Sequence, residues 1–311
     1  DDYTIYLTID GALIYCNDEC KKKSKKKSSK SDPVYKEKLI SLECRPVYIS
    51  GSWEAPVAID NNGDFYIFDS NPKVVPQKAH LQSNEKVVDI CRCDSEDYQF
   101  IAVVTENGNV YGNGLLNNNK FDEFALVESL QGHKISRLFG YSRHCLALSD
   151  DGKLFGVGLN WHGQLGTDKV PETNSFVEID MPENKKVVDV CVGNLHSAVA
   201  TEDGSLYTFG SNFYGQLLKE HSGDEEFKHP QNVLQQFGQR KATNVFAGAF
   251  STVVLYDVPN TRINLKESFS QENNEIYTLK CKIAEQDLII EDLRKKLKEK
   301  DEEIKRLKQG K

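Results

Sequence analysis

The sequence predicts an all-β protein, a β-propeller of six to seven blades, complete or incomplete, followed by a C-terminal α-helical coiled coil. Three observations predict this architecture. A strand–turn–strand unit recurs along residues 1–256, a Gly-Gln-Leu loop occurs twice about fifty residues apart, and from Asn264 the hydrophobic period becomes seven. We therefore expect a propeller domain at 1–256, a linker at 257–275 and a coiled coil at 276–309.

The recurring unit consists of two short apolar strands joined by a turn that ends in glycine. The turn glycines are spaced 52, 45, 44 and 52 residues apart, and they are Gly11, Gly63, Gly108, Gly152 and Gly204. Such turns favour glycine because they require a positive φ. A half-copy at 251–256 has the first strand but no turn glycine. A period of about 40–55 residues with about four strands is typical of a propeller blade, and blades must stack to bury both faces.

The best-preserved copies carry a glycine-rich loop and a histidine. Residues 152–166 end in Gly-Gln-Leu-Gly, residues 204–218 end in Gly-Gln-Leu-Leu, and His144 stands where His196 stands in the next copy. These residues resemble the repeat of the RCC1 (regulator of chromosome condensation) family. The resemblance is specific over 135–256, weaker over 51–117, and limited to the turn over 1–17.

The resemblance implies a seven-bladed propeller, whereas the sequence shows five turns and one half-copy. Three explanations stay open. The N-terminus is truncated, or degenerate blades lie within 18–50 and 219–241, or the ring has fewer blades. Residues 219–241 otherwise appear in the sequence as a polar insertion without recognisable chemistry.

Candidate partner-binding residues lie in the two loops between the Asn and the Gly-Gln of each motif, where the repeat varies. They are Asn160, Trp161 and His162 in one copy and Asn212, Phe213 and Tyr214 in the next. If these side chains are exposed, they form a binding rim. The alternative is that the aromatic ones pack between blades. For His144 and His196 we expect buried inter-blade positions rather than catalytic ones, because they recur once per blade.

A lysine-rich segment interrupts the first repeat at 18–33. Its seven lysines fall within ten positions and are Lys21, Lys22, Lys23, Lys25, Lys26, Lys27 and Lys30. Such a charge run predicts a disordered, exposed insertion, which would be a nuclear-import signal, a phosphate-contacting arm or a solvated loop without function. The formal net charge of the chain is −8, and it would be −15 without these lysines. We therefore expect any contact with nucleic acid to be confined to this loop.

The C-terminal heptads predict a parallel two-stranded coiled coil and therefore a homodimer, because isoleucine dominates position a and leucine position d. The dimer seam comprises Ile276, Leu279, Ile283, Ile290, Leu293, Leu297, Ile304 and Leu307. Gln286 and Lys300 interrupt position d. Across the interface, Lys282–Asp287, Lys296–Asp301 and Glu303–Lys308 form opposite-charge g–e pairs. A single helix exposed to solvent is the poorer alternative.

Several classes of protein are not indicated by the sequence. It contains no apolar run of the roughly 18 residues that a membrane span needs, and no signal peptide is visible. No nucleotide-binding P-loop, dinucleotide fingerprint or nucleophile elbow is present, so no catalytic residue, cofactor or metal is expected. Cys16 with Cys20, and Cys91 with Cys93, lack the second ligand pair of a zinc site. The eight scattered cysteines suggest free thiols and an intracellular protein, cytoplasmic or nuclear.

The function expected from these features is a protein–protein interaction scaffold, a propeller made bivalent by the coiled coil. The resemblance implies one alternative, a guanine-nucleotide exchange factor or regulator for a Ran-type small GTPase. It also implies a second, a propeller module of a larger regulatory polypeptide that carries a kinase or ubiquitin ligase. Fold alone does not choose among them.

Overall fold

The structure, a computed structural model, describes eleven stretches of the chain. They are residues 3–8, 13–17, 36–40, 45–51, 56–68, 76–83, 85–95, 98–116, 119–219, 225–233 and 240–256. The lysine-rich segment, the turn at Gly11, the linker and the coiled-coil seam lie outside the described residues, so those expectations stay predictions. In the described stretches, no helix is long and apolar enough to cross a membrane.

Six antiparallel sheets follow one another along the chain, and within each sheet neighbouring strands are consecutive in sequence. Sheet 1 contains β1 (Tyr3–Leu7), β2 (Leu13–Asn17) and β3 (Lys36–Ile40). Sheet 2 contains β4 (Pro46–Gly51), β5 (Pro56–Asp60), β6 (Phe65–Ile67) and β7 (Gln77–Ala79). Sheet 3 contains β8 (Val87–Ser95), β9 (Tyr98–Thr105), β10 (Val110–Leu116) and β11 (Asn119–Leu126).

The C-terminal half repeats this meander and then stops after two strands. Sheet 4 contains β12 (Ile135–Tyr141), β13 (His144–Ser149), β14 (Leu154–Leu159) and β15 (Glu172–Ile179). Sheet 5 contains β16 (Val187–Val192), β17 (His196–Thr201), β18 (Leu206–Ser211) and β19 (Glu226–Asn232). Sheet 6 contains only β20 (Ala242–Gly248) and β21 (Ser251–Tyr256) among the described residues. Short 3-10 turns at Glu128–Leu130 and Pro182–Asn184 lead into sheets 4 and 5.

The predicted turn glycines are confirmed in sheets 2 to 5. Their φ angles lie between 83° and 86°, the left-handed region in which glycine is favoured, and the residues are Gly63, Gly108, Gly152 and Gly204. A polar side chain at the end of the preceding strand closes the same turn. In sheet 5, for example, the Thr201 hydroxyl donates to the main-chain oxygen of Ser205 at 3.2 Å. The strand–turn–strand unit is therefore specified locally.

In sheets 2 to 5 the second strand is buried on both faces because it lies between two neighbouring sheets. In sheet 4 every residue of β13 is buried. Leu146 and Leu148 pack with Val190 of sheet 5, whereas Ala147 packs with Val104 of sheet 3. Burial on both faces explains why these strands are continuous apolar runs in the sequence rather than alternating ones. The hydrophobic core therefore consists of successive layers between sheets.

Two aspartates on first strands fix each of those sheets to the next. The Asp89 carboxylate accepts the main-chain N–H of Leu138 at 2.7 Å, and Asp189 accepts that of Val245 at 3.0 Å. Asp189 also receives the Arg137 guanidinium from sheet 4 at 2.7 Å. Burial raises the pKa of Asp89 to about 6. These directed bonds set the register between sheets, which apolar contact alone does not.

Two histidines make a second set of links between sheets. His144 Nε2 lies 2.9 Å from Ser197 Oγ of sheet 5, and His196 Nε2 lies 2.9 Å from Thr252 Oγ1 of sheet 6. Each hydroxyl donates its proton to a main-chain oxygen, that of Gln164 or Gln216. A hydroxyl that donates its one proton must accept from the imidazole, so Nε2 carries the hydrogen. The expectation of inter-blade histidines is confirmed.

The segments in which degenerate blades were considered supply strands to sheets already counted. Strands β3 and part of β4 come from 18–50, and β19 comes from 219–241. The polar insertion at 219–241 therefore contributes the outer strand of sheet 5, which the sequence analysis missed. Its sequence is polar at most positions and alternates little, and Pro230 is its one buried residue.

The buried histidines predict a pH dependence of stability. Burial lowers the pKa of His144 to about 3 and that of His196 to about 4. Between about pH 4 and 6.5 the unfolded chain binds protons that the folded chain does not, so the free energy of unfolding falls as the pH falls. The double substitution His144→Gln and His196→Gln is expected to remove up to about 1.4 kcal/mol per pH unit per histidine from this slope.

Urea unfolding of wild type and variant across this pH range measures the difference. Asp89 titrates in both proteins and therefore cancels. The control is His229→Gln, which changes a histidine whose side chain is 59% exposed and should leave the slope unchanged. Equal slopes for the double variant and wild type would contradict the expectation.

Candidate functional site

The loop between β14 and β15 is held from below by two buried polar side chains. Asn160 Oδ1 accepts the main-chain N–H of Leu165 at 2.9 Å, and its Nδ2 donates to the main-chain oxygens of Thr167 and Val170 at 2.6 Å each. Gln164 Oε1 accepts the N–H of His162 at 3.0 Å. The Asn and Gln of the motif therefore replace water as partners for the backbone of a tight loop.

The loop between β18 and β19 repeats this construction. Asn212 Oδ1 accepts the N–H of Leu217 at 3.0 Å, and Gln216 Oε1 accepts that of Tyr214 at 2.7 Å. Both polar side chains are buried. The Ser197 and Thr252 hydroxyls, which bond the two histidines, donate to the main-chain oxygens of Gln164 and Gln216. Each loop is therefore also bonded to the following sheet.

Four aromatic side chains stand out from these loops and from the adjoining β20–β21 turn. We call Trp161, Phe213, Tyr214 and Phe250 the aromatic rim; each is between 46% and 63% exposed. The ring centroids of Phe213 and Tyr214 are 4.7 Å apart, and those of Tyr214 and Phe250 are 5.0 Å apart, both edge to face. The rings of sheets 5 and 6 thus form a continuous aromatic row.

Main-chain bonds place the rim loops at one end of the sheets. The N–H of Asn194, in the turn after β16, bonds to the oxygen of Ala249 in the β20–β21 turn. The N–H of Ser211, at the end of β18, bonds to the oxygen of Leu195 in that same β16–β17 turn. His162, next to Trp161, pairs through Nδ1 with Glu226 at the start of β19. Sheets 4, 5 and 6 therefore contribute to one surface.

The structure separates the six predicted loop residues into two groups. Asn160 and Asn212 are buried and shape the loops, whereas Trp161, Phe213 and Tyr214 are exposed, and His162 is partly exposed beside Glu226. The two interpretations of the aromatics are compatible, because Tyr214 contacts a ring of the next sheet and still exposes most of its surface.

Phe250 was missed from the sequence. It lies in the half-copy, whose tight turn lacks the Asn-x-x-Gly-Gln motif that drew attention to the other loops. The only sequence signal for it is position, since it precedes the second strand in the place that Arg143 and Leu195 occupy in the copies before.

The chemistry that the rim can support follows from its side chains. Within the described stretches, no cluster of histidine, cysteine or acidic side chains has the geometry of a metal site. The four cysteines whose state is described, Cys91, Cys93, Cys145 and Cys191, are free and buried, as expected of free thiols. What the rim offers is exposed aromatic area on rigidly held loops, which suits contact with an apolar or cationic side chain of another protein.

Comparisons with known proteins agree with the repeat assignment. Models of the regulator of chromosome condensation (RCC1) repeat match residues 151–200 and 203–255, and a second such model matches 187–216. A human relative, probable E3 ubiquitin-protein ligase HERC3, is 33% identical over 127 residues, which are 41% of this chain and 12% of that protein. The Arabidopsis thaliana ultraviolet-B receptor UVR8 is 27% identical over 63% of this chain and 48% of its own length. The chain thus spans less than half of these relatives.

Solved structures show the same fold. Human WBSCR16 aligns with a TM-score of 0.65 at 17% identity, over 82% of this chain and 73% of its own. Yeast RCC1 (Prp20), solved bound to Kap60, aligns with a TM-score of 0.63 at 14% identity, over 86% of this chain and 67% of its own. With matching repeats over residues 151–255 and a β-propeller-like arrangement of four-stranded antiparallel sheets, the chain contains RCC1-like repeats.

Proposed function

We propose that this chain is a protein–protein interaction scaffold whose aromatic rim binds a partner. The observation that carries the proposal is the rim itself, four aromatic side chains exposed at one end of the sheets. Aromatic side chains supply a large share of the binding energy at protein interfaces, and contiguous exposed apolar area marks such sites. Buried Asn and Gln side chains hold the loops beneath, so little conformational entropy is lost on binding.

The scaffold would be bivalent. In this proposal residues 1–256 form the binding domain, 257–275 a linker, and the heptads at 276–309 a parallel homodimer. Two linked copies of one rim raise the apparent affinity for a partner that itself carries two sites, because the second contact becomes intramolecular.

An alternative function is regulation of a small GTPase as an exchange factor. The fold of yeast Prp20p supports it; that protein aligns with a TM-score of 0.62, and its structure was described with its binding properties to Gsp1p and histones. Exchange requires no catalytic side chain, only tighter binding of the nucleotide-free GTPase. Acceleration of GDP release from a Ran-type GTPase by catalytic amounts of the chain would favour this alternative over the scaffold.

A second alternative is a propeller module within a larger regulatory polypeptide. The match to a ubiquitin-ligase relative of which this chain spans 12% supports it. For location we propose the cytoplasm or nucleus, with the lysine-rich segment as an import signal or a phosphate-contacting arm. The free buried thiols support a reducing compartment.

Removal of the rim aromatics is expected to abolish partner binding. The variant carries Trp161→Ala, Phe213→Ala and Tyr214→Ala. Its partners are first identified by cross-linking in cell extract. The affinity of the variant for them should fall by at least about tenfold, because interface aromatics carry a large part of the binding energy. Each side chain is largely exposed, so the stability should change by no more than about 0.5 kcal/mol per substitution.

The matched control is Val188→Ala, at an exposed valine of β16 outside the rim. It should bind as wild type does. Titration calorimetry with the purified partner gives the dissociation constants, and urea unfolding confirms that all variants are folded. A rim variant with unchanged affinity would remove the rim from the proposed function.

A second expectation concerns the coiled coil. Ile290→Asp places a charge at a central a position, which cannot be buried in the seam without a large free-energy cost. We expect a dimer for wild type and a monomer for this variant by sedimentation equilibrium. Glu291→Gln, at the neighbouring solvent-facing b position, is the control and should stay dimeric. An unchanged mass for Ile290→Asp would contradict dimerisation through these heptads.

A further inference from the structure

The hydrogen bonds between neighbouring sheets differ from one boundary to the next. Sheets 4 and 5 are joined by the bond of His144 to Ser197, and sheets 5 and 6 by that of His196 to Thr252. In sheet 3 the equivalent of these histidines is Phe100. The equivalence follows from strand pairing, because each of the three residues lies opposite a glycine with a φ of 106° in the third strand of its sheet. An imidazole therefore cannot join sheet 3 to sheet 4 at this position.

Cysteine thiols meet at this boundary instead. Cys145 follows His144 in β13 and holds, toward sheet 3, the position that Ser197 holds toward sheet 4. Its sulfur lies 3.2 Å from that of Cys91 in β8 of sheet 3. A third thiol, Cys93, also bonds to Cys145 and donates to the main-chain oxygen of His144 at 3.2 Å. All three cysteines are fully buried, so two sulfur atoms make the contact that a hydroxyl and an imidazole make elsewhere.

A glycine makes room for the two sulfur atoms. Gly140 pairs with Cys145 in the first hairpin of sheet 4. A Cβ atom at this glycine would lie 3.1 Å from the Cys91 sulfur and 3.2 Å from the Cys91 Cβ, so a larger residue would press on that side chain. A disulfide bond is about 2.05 Å long, and the two sulfur atoms therefore need to approach by about 1.2 Å to form one.

We propose that Cys91 and Cys145 form a disulfide when the chain is oxidised, and that this bond covalently joins sheet 3 to sheet 4. The oxidant is a small-molecule disulfide such as glutathione disulfide. One cysteine sulfur bonds to one glutathione sulfur, and the other glutathione leaves with the proton of that cysteine. The second cysteine then displaces the remaining glutathione from this mixed disulfide. Two cysteine thiols are thereby oxidised, and one glutathione disulfide is reduced to two glutathione thiols.

Burial determines when this exchange can occur. The thiolate is the reacting form, and burial raises the pKa of the Cys145 thiol well above its usual range. The closed boundary is therefore unreactive, and exchange requires sheets 3 and 4 to separate locally. Once formed, the disulfide opposes the separation that would admit a reductant. The pair thus responds to a sustained change of redox conditions, and this response involves neither the aromatic rim nor the proposed function.

The test incubates the folded full chain with glutathione disulfide and then unfolds it in urea with N-ethylmaleimide, which blocks the remaining thiols. Peptide mass spectrometry should find Cys91 joined to Cys145, and Cys191, the buried thiol of sheet 5, alkylated. The oxidised chain should also unfold at a higher urea midpoint than the reduced chain, because the cross-link restricts the unfolded state. Dithiothreitol added to the unfolded chain before refolding should reverse this shift.

Two serine variants separate this pair from the other cysteines. Cys145→Ser should lose the cross-link and the shift in midpoint, and it introduces the residue that stands at the equivalent position of sheet 5. The matched control, Cys191→Ser, should keep both. Three results would overturn the proposal. They are the absence of the Cys91–Cys145 cross-link from wild type after prolonged incubation, a cross-link of Cys145 to Cys93 in its place, and equal midpoint shifts for Cys145→Ser and wild type. The first two are measured on wild type and do not depend on the folding of a variant.

Discussion

The structure depends on the burial of each sheet against the next. A single four-stranded sheet of this size has two apolar faces and cannot keep either from water alone, so residues such as Leu146 and Ala147 need partners on opposite sides. Stacking sheets in succession satisfies both. The directed bonds of Asp89, Asp189 and the two histidines then fix how neighbouring sheets are aligned, because apolar surfaces by themselves slide with little cost.

The same constraint explains why some residues of the repeat motif are buried and others are exposed. Asn160, Gln164, Asn212 and Gln216 are buried and bond to the loop backbone. The hydroxyls that bond the two histidines reach the main chain of those same glutamines. The two residues at each loop tip take part in none of the burial and are free to vary in kind. In this chain three of those four residues are Trp, Phe or Tyr, so the loop tips expose aromatic surface.

Sheet 6 is the last sheet among the residues that the structure describes. Its inner face packs on sheet 5 as all the others pack on their predecessors, through Val245 and Val254. Its outer face exposes Phe246, Val253 and Leu255 among the described residues.

The sequence by itself determined the all-β repeat class, the turn positions and the inter-blade histidines. It could do so because these depend on local requirements: a positive φ at Gly152 and Gly204, and apolar runs flanking them. It also indicated the loops that carry Trp161, Phe213 and Tyr214. Strand β19 was not predicted, because its polar sequence, Glu-Phe-Lys-His-Pro-Gln-Asn, carries no periodic hydrophobic signal.

Only the tertiary structure decided which side chains meet. Asn160 and Trp161 are adjacent in sequence, yet one is buried under the loop and the other exposed, because the loop backbone turns around the asparagine amide. Phe250 joins the rim through a contact with Tyr214 from another sheet. Val253 and Ala198 occupy the same repeat position, and their burial differs because, among the described residues, only Ala198 has a following sheet to pack against. Such differences arise from neighbours distant in sequence, and no local pattern encodes them.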